Sequence, residues 1–190
     1  MAVSATALLV MDFQQGIVER FGTLPALNAA RRAVDAAHTH GLVVIYVRVA
    51  FRPGYPEVSL ANRSFATIAA GHADFTDTSP GTQLHSAFTP VPGDVMVLKR
   101  RVSAFAGSDL DVVLRAGRIN TLVLAGIATS GVVLSTLREA ADRDFHLVVL
   151  DDACADQDSE VHRVLIEKVF PRQARVLGVE DWIAGLDANN

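Results

Sequence analysis

Apolar residues recur along this chain in two rhythms that alternate from end to end. Short blocks without polar interruption, such as Leu42-Val43-Val44-Ile45 and Leu122-Val123-Leu124, have the character of strands covered on both faces, as in parallel sheets. Strands are predicted over Thr6–Met11, Leu42–Val49, Val95–Leu98, Thr121–Ala125, His146–Leu150 and Ala174–Leu177. Between them the apolar positions return at helical spacing. Leu27, Ala30, Val34 and Ala37 make one stripe, with Arg31, Asp35 and His38 opposite and Gly41 marking the exit. Val161, Val164, Leu165 and Val169 make another, opened near Asp158-Ser159 and closed by Pro171.

Strand–helix alternation of this kind requires right-handed crossovers. It predicts a three-layer α/β/α fold around a mostly parallel sheet of about six strands, formed as one domain over residues 1–190. The rhythm breaks over residues 51–92, rich in Pro, Gly, Ser and Thr, where only a short helix near Asn62–Ala70 is expected. A long insert in a compact α/β domain usually forms a lid or pocket wall. Ligands of open α/β sheets bind outside the carboxyl ends of the strands. Those ends present Asp12, the stretch Arg48 to Arg52, Lys99, and the turn Ala128 to Val132.

Composition narrows the classes. The net charge is −4 without a clustered basic block, which argues against a nucleic-acid partner. No apolar run reaches the ~18 residues of a membrane span, and Met1 to Val10 lacks the form of a signal peptide. A single cysteine, Cys154, excludes an internal disulfide and suits a reducing, cytoplasmic setting. The apolar content, half of the residues, favours a homo-oligomer, dimer or tetramer. Met11-Asp12-Phe13-Gln14-Gln15-Gly16 is no dinucleotide-binding turn. His38 and His40 sit at a helix end, where solvated side chains are expected, and His72, His85, His146 and His162 show no metal-ligand spacing. Neither metal nor cofactor is expected.

Asp12 reads either as a loop aspartate or, at the mouth of an apolar pocket, as a general acid or base whose pKa is raised by desolvation. Lys99 reads as a surface charge or as a cation that pairs with Asp12 and stabilises developing negative charge. Thr129 or Ser130 is placed to cap the helix after the fourth strand, whose first N–H groups would face an anion.

Three motifs, Asp-x-Gln at Asp12–Gln14, Lys-x-x-x-Ser-Ala-Phe at Lys99–Phe105 and Gly-Ile-Ala-Thr at Gly126–Thr129, together resemble the isochorismatase-like (cysteine) hydrolase superfamily. The resemblance implies acid/base work for Asp12, a charged partner in Lys99, and a cis peptide between Ile127 and Ala128. It also implies an oxyanion site at the amides of Ala128 and Val132. The superfamily's pattern Gly-Val-Ala-Thr-x-x-Cys-Val-x-x-Thr places a nucleophilic cysteine where this chain has Val132, and Cys154 is expected to be a packed thiol. Nicotinamidase-like members also hold a metal through an Asp-x-His that Arg48–Pro53 lacks. Members proper to isochorismate cleavage do without the thiol: an aspartic acid protonates a vinyl ether, and water completes hydrolysis. The expected activity is therefore thiol-independent hydrolysis of a small polar or anionic substrate, contacted by Phe13, Gln14, Arg52, Tyr55, Phe105 and Thr129. The alternative is a member that binds a small molecule or partner without turnover.

Overall fold

The computed structural model describes residues 5–71 and 73–188. His72, expected not to be a metal ligand, and the first four residues of the stretch expected not to be a signal peptide lie outside the described residues. Six strands form a single parallel sheet in the order β3-β2-β1-β4-β5-β6. They are β1 (Ala5–Met11), β2 (Val43–Val49), β3 (Val95–Lys99), β4 (Ile119–Ile127), β5 (His146–Ala155) and β6 (Arg175–Leu177). The order reverses direction at β1 and β4, so the tips of these two strands flank the crevice where such sheets bind ligands.

Apolar runs decide the interior. Leu8, Val10, Val44 and Tyr46 face one layer, with Leu27, Ala30, Ala33, Val34 and Ala37 of α2 (Leu24–Thr39). Ala7, Leu9, Met11, Ile45 and Val47 face the other. There they meet Leu110 and Leu114 of α4 (Leu110–Ala116) and Leu137 of α5 (Leu134–Ala141). This alternation across a sheet covered on both sides accounts for the unbroken hydrophobic runs.

Two elements differ from the sequence prediction. β5 continues past Leu150 to Ala155, because a register shift between Leu124 and Gly126 lets Cys154 pair with Gly126. The predicted helix after Asp158 begins as α6 (Ser159–Val164), with the Asp158 carboxylate accepting from Glu160 N and Val161 N. It then loosens into a π turn over Leu165–Val169 and a last 3₁₀ turn, Phe170–Arg172, that contains Pro171. The helix of the insert, α3 (Arg63–Ala70), is capped by Asn62, whose side chain accepts from Phe65 N. The insert packs a small apolar cluster of its own, Val49, Phe51 and Phe65 with Ile17, Tyr55, Ile68 and Phe75. α1 (Gln15–Phe21) follows β1, and α7 (Val179–Asp187) closes the chain over the α2 layer. Among the described residues no helix is long and apolar enough to cross a membrane.

Candidate active site

β1 ends at Met11, and the next residue turns sharply. Asp12 has φ 59°, a left-handed conformation that Asp tolerates better than most side chains. Its amide stays tied to Val47 O at 2.8 Å. Lys99, the last residue of β3, lies two strands away, yet its Nζ reaches Asp12 Oδ2 at 2.9 Å and donates to Arg101 O at 3.0 Å. Both side chains are almost sealed, at 2% and 8% exposure. The second carboxylate oxygen, Asp12 Oδ1, is buried with no hydrogen-bond partner among the described residues.

Burial disfavours the ionised carboxylate, and this raises the Asp12 pKa above its ordinary value even though the charge and hydrogen bond of Lys99 pull it down. With one oxygen orphaned, the carboxylate lacks the two or three donors that would reverse that direction. A carboxyl whose pKa is raised beside a fixed ammonium is suited to giving up a proton and taking it back.

The third strand tip closes on this pair. The peptide between Ile127 and Ala128 is cis. Gly126 admits no side chain, since a Cβ would meet Met11 O at 3.1 Å and Val133 Cγ2 at 3.1 Å. The turn then winds as a π-helical segment, Thr129–Val133, into α5. The predicted cap from Thr129 or Ser130 does not form. Thr129 Oγ1 instead meets His162 Nδ1 at 2.8 Å, and the Ser130 amide donates to Asp156 Oδ2 at 2.7 Å. Asp156 and His162 were not anticipated. The helix-opening Asp158 and the stripe around Val161 were the available signals that this segment returns to the fourth strand tip. Val132 is 2% exposed and packs in the core with Val133 and Leu137.

The residues expected to touch substrate divide. Gln14 is fully buried and spent: Nε2 donates to Val49 O (2.9 Å) and Thr82 O (2.8 Å), and Oε1 accepts from Val49 N (2.7 Å). Phe13 is core, with its ring 5.5 Å from that of Phe88. Phe105 packs with Phe145 under the Arg143 guanidinium, 4.6 Å from the ring centroid. Thr129 is fully buried. Arg52 is exposed and pairs with Glu57 at 2.5 Å. It lines a polar groove along β3 with Leu98 and Arg100. Tyr55 OH accepts from Phe75 N at 2.9 Å. None of these six side chains is bonded to Asp12, whose carboxylate is paired with Lys99. The Ser and Ala of the lysine motif are struts: Ser103 Oγ donates to Glu139 Oε2 and Ala104 N to Thr136 Oγ1.

A cavity of about 440 Å³ opens at the same edge of the sheet. The tips of the two strands beside β1 supply Val49 and Ile127, α1 supplies Gly16, Ile17, Arg20 and Phe21, and the insert supplies Ile68, Phe75 and Gly81. Sequence reasoning missed α1, a helix of seven residues with no side-chain cap, and with it this wall. Cys154 is buried in β5 beside Gly126 of β4, and burial pushes its thiol up to about 12. His38 and His40 are bonded rather than solvated, to Asp94 at 2.9 Å and Asp187 at 3.1 Å. Among the described residues no cluster of three or more His, Cys, Asp or Glu could hold a metal ion.

Comparison with known proteins converges on one family. The model of the isochorismatase domain matches residues 6–181. An uncharacterized isochorismatase family protein of Escherichia coli O157:H7, YecD, is 32% identical over 95% of this chain and 96% of its own length. The ureidoacrylate amidohydrolase RutB of Stutzerimonas stutzeri is 31% identical over 99% of this chain and 82% of its own. A cysteine hydrolase from Pseudomonas syringae pv. phaseolicola superposes with a TM-score of 0.89 at 23% identity, over 97% of this chain and 93% of that one, a likeness of fold. With its six-stranded parallel sheet and a domain match that spans nearly every described element, this chain belongs to the isochorismatase family of hydrolases.

Proposed function

We propose that the protein is a thiol-independent hydrolase of a small polar or anionic substrate, with Asp12 as general acid and base. The observation that carries this reading is the sealed Asp12–Lys99 pair with its orphaned Oδ1. Burial raises the pKa of a carboxyl in that setting, which favours the role of proton donor. RutB is named as an amidohydrolase, and the resemblance puts a cysteine where this chain carries Val132. A hydrocarbon cannot attack an amide carbonyl, so amide hydrolysis through an acyl-enzyme is not open to this chain.

Hydrolysis of a vinyl ether needs no protein nucleophile. Asp12 gives its proton to the terminal vinyl carbon, and the ether oxygen stabilises the resulting cation. Water adds to the cationic carbon and returns a proton to the Asp12 carboxylate. The hemiketal then collapses to a ketone and an alcohol, so one water is consumed and no redox equivalent is needed. Lys99 holds the carboxylate form between the two proton transfers. In this reading the substrate body sits in the cavity at Val49 and Ile127, and developing charge falls to the amides of Ala128 and Val132, as the resemblance implies.

The second reading is binding without turnover. Val132 is packed into the core, the Gln14 amide is bonded to Val49 and Thr82, and Thr129 Oγ1 is bonded to His162, which favours it. The deciding experiment is carbonyl-product release from small vinyl ethers, isochorismate among them, by the unaltered chain and by Asp12→Asn. Acid catalysis predicts turnover that falls by at least about a hundredfold in the variant. Absence of product from either protein, with cavity binding retained, leaves the second reading.

A further inference from the structure

We infer that Arg20 is the anchor for a substrate carboxylate, so that the cavity beside Ile127 takes a monocarboxylate with an apolar body. This rests on reading that cavity as the substrate's seat. Its walls are mostly hydrocarbon, from Ile17, Phe21, Val49, Ile68 and Phe75. Two charged residues line it, Arg20 and Asp74. Asp74 is already engaged, its Oδ1 accepting from Thr76 N at 2.8 Å. Arg20 makes no ion pair or hydrogen bond with any described residue, Asp74 included.

That isolation sets Arg20 apart from the other arginines at this edge of the sheet. Arg48 is held by Thr82 O, Arg100 by Glu57 and Ala50 O, and Arg101 by Glu57 O. Their positive charge is already spent on the fold. A place in the last turn of α1 suits any cation, because the helix C-terminus is negative. That explains a positive charge on the turn, but the dipole is served equally from the side facing away from the cavity. The face presented is fixed by spacing: Gly16, Ile17, Arg20 and Phe21 fall at i, i+1, i+4 and i+5 and share one side of the helix.

The helix is also fixed in position. Gln15 N donates to Gln83 O at 3.0 Å, and Gly16 lies so close to Gly81 that a Cβ would meet its carbonyl oxygen at 3.2 Å. Arg20 therefore offers a planar fork of donors from a rigid mount, the geometry a carboxylate accepts in bidentate fashion. One free cation satisfies one carboxylate. A second anionic group would sit among hydrocarbon or near Asp74.

Binding of benzoate and of its neutral isostere benzamide, followed by amide chemical shifts in the intact protein at low salt, tests this. The unaltered chain is expected to bind benzoate with shifts at Ile17, Phe75 and Ile127. Arg20→Gln should weaken benzoate by about tenfold, equivalent to about 1.4 kcal/mol, and leave benzamide unchanged. Retained benzamide binding also establishes that the variant is folded. Equal loss of both ligands, an unchanged benzoate affinity, or shifts confined to another surface overturns the inference. The vinyl-ether reading can fail separately: charge selectivity lost in Arg20→Gln, without turnover by the unaltered chain, removes catalysis and keeps the anchor. Turnover that depends on Asp12 but is indifferent to Arg20→Gln removes the anchor alone.

Discussion

Replacing Lys99 by Met isolates the electrostatics of the site, because it keeps the length and packing of the side chain and deletes the charge. In the native protein Lys99 is 1% exposed, with Nζ 2.9 Å from Asp12 Oδ2. Lys99→Met would leave a sealed carboxylate with no donor on either oxygen, since Oδ1 is already orphaned. Removal of one partner of a buried pair costs about 3–5 kcal/mol. For a domain of this size each kcal/mol moves the melting temperature by about 2–4 °C, so a fall of about 10 °C is expected at pH 8.

The penalty must depend on pH. Burial already holds the Asp12 carboxyl above its ordinary value of 3.8, and the variant loses the one influence that pulls it down. A carboxyl raised in the folded state adds stability that is fully present below the unfolded value and is lost as pH rises through the folded value. The loss in Lys99→Met should therefore be small near pH 4 and grow as pH rises. Urea titration followed through the single tryptophan, Trp182, buried against the α2 layer, gives both values. Asp12→Asn/Lys99→Met carries no buried charge and should recover most of the loss. A penalty below about 1 kcal/mol at pH 8, well short of the buried-pair range, or one of equal size at both pH values, refutes the account of Asp12 given above.

Gln14→Ala should loosen the insert without touching the acid. The variant loses three hydrogen bonds to Val49 and Thr82 and orphans the Val49 amide, a cost of about 2–4 kcal/mol. Faster hydrogen exchange at Val49 relative to the centre of β4 checks it. Cys154 should stay unlabelled by a thiol reagent at pH 8, because its thiol is buried and pushed up to about 12. Labelling should accelerate only with urea, in step with global unfolding, and rapid labelling of the native protein would contradict that burial.

Legibility in the sequence followed the range of the interactions. Uninterrupted apolar runs located all six strands, and the position of Asp12 and Lys99 at strand ends was enough to bring them together. What a polar side chain does at such an end was not legible, because its partner is distant in the chain. Gln14 spends its amide on Val49, 35 residues on, and Thr129 meets His162, 33 residues on. Phe13 and Phe105 differ from pocket residues only in what lies over them, Phe88 in one case and Arg143 in the other. The β5 extension depended on a register shift against β4, which no local pattern encodes. α1 escaped notice for the opposite reason: it is too short to show a stripe, and a rigid contact with Gly81 holds it in place.

The Asp12–Lys99 pair bears on whether Val132 ended the chemistry or only changed it. A buried ion pair is a weak source of stability, and apolar side chains of equal volume often serve a core as well or better. Here the setting is less favourable still, since one oxygen of Asp12 is sealed without a donor and the residue adopts a positive φ. Folding therefore gives no reason for an acid at position 12, whereas Val132, packed with Val133 and Leu137, suits the core on hydrophobic grounds alone. A hydrocarbon at 132, with the acid and the ammonium retained, is compatible with proton-driven hydrolysis and excludes thiol chemistry at that position. A binding-only protein would be better served by a neutral pair at 12 and 99. The asymmetry between the two positions, one costly to the fold and the other not, supports the proposal that Asp12 carries the proton.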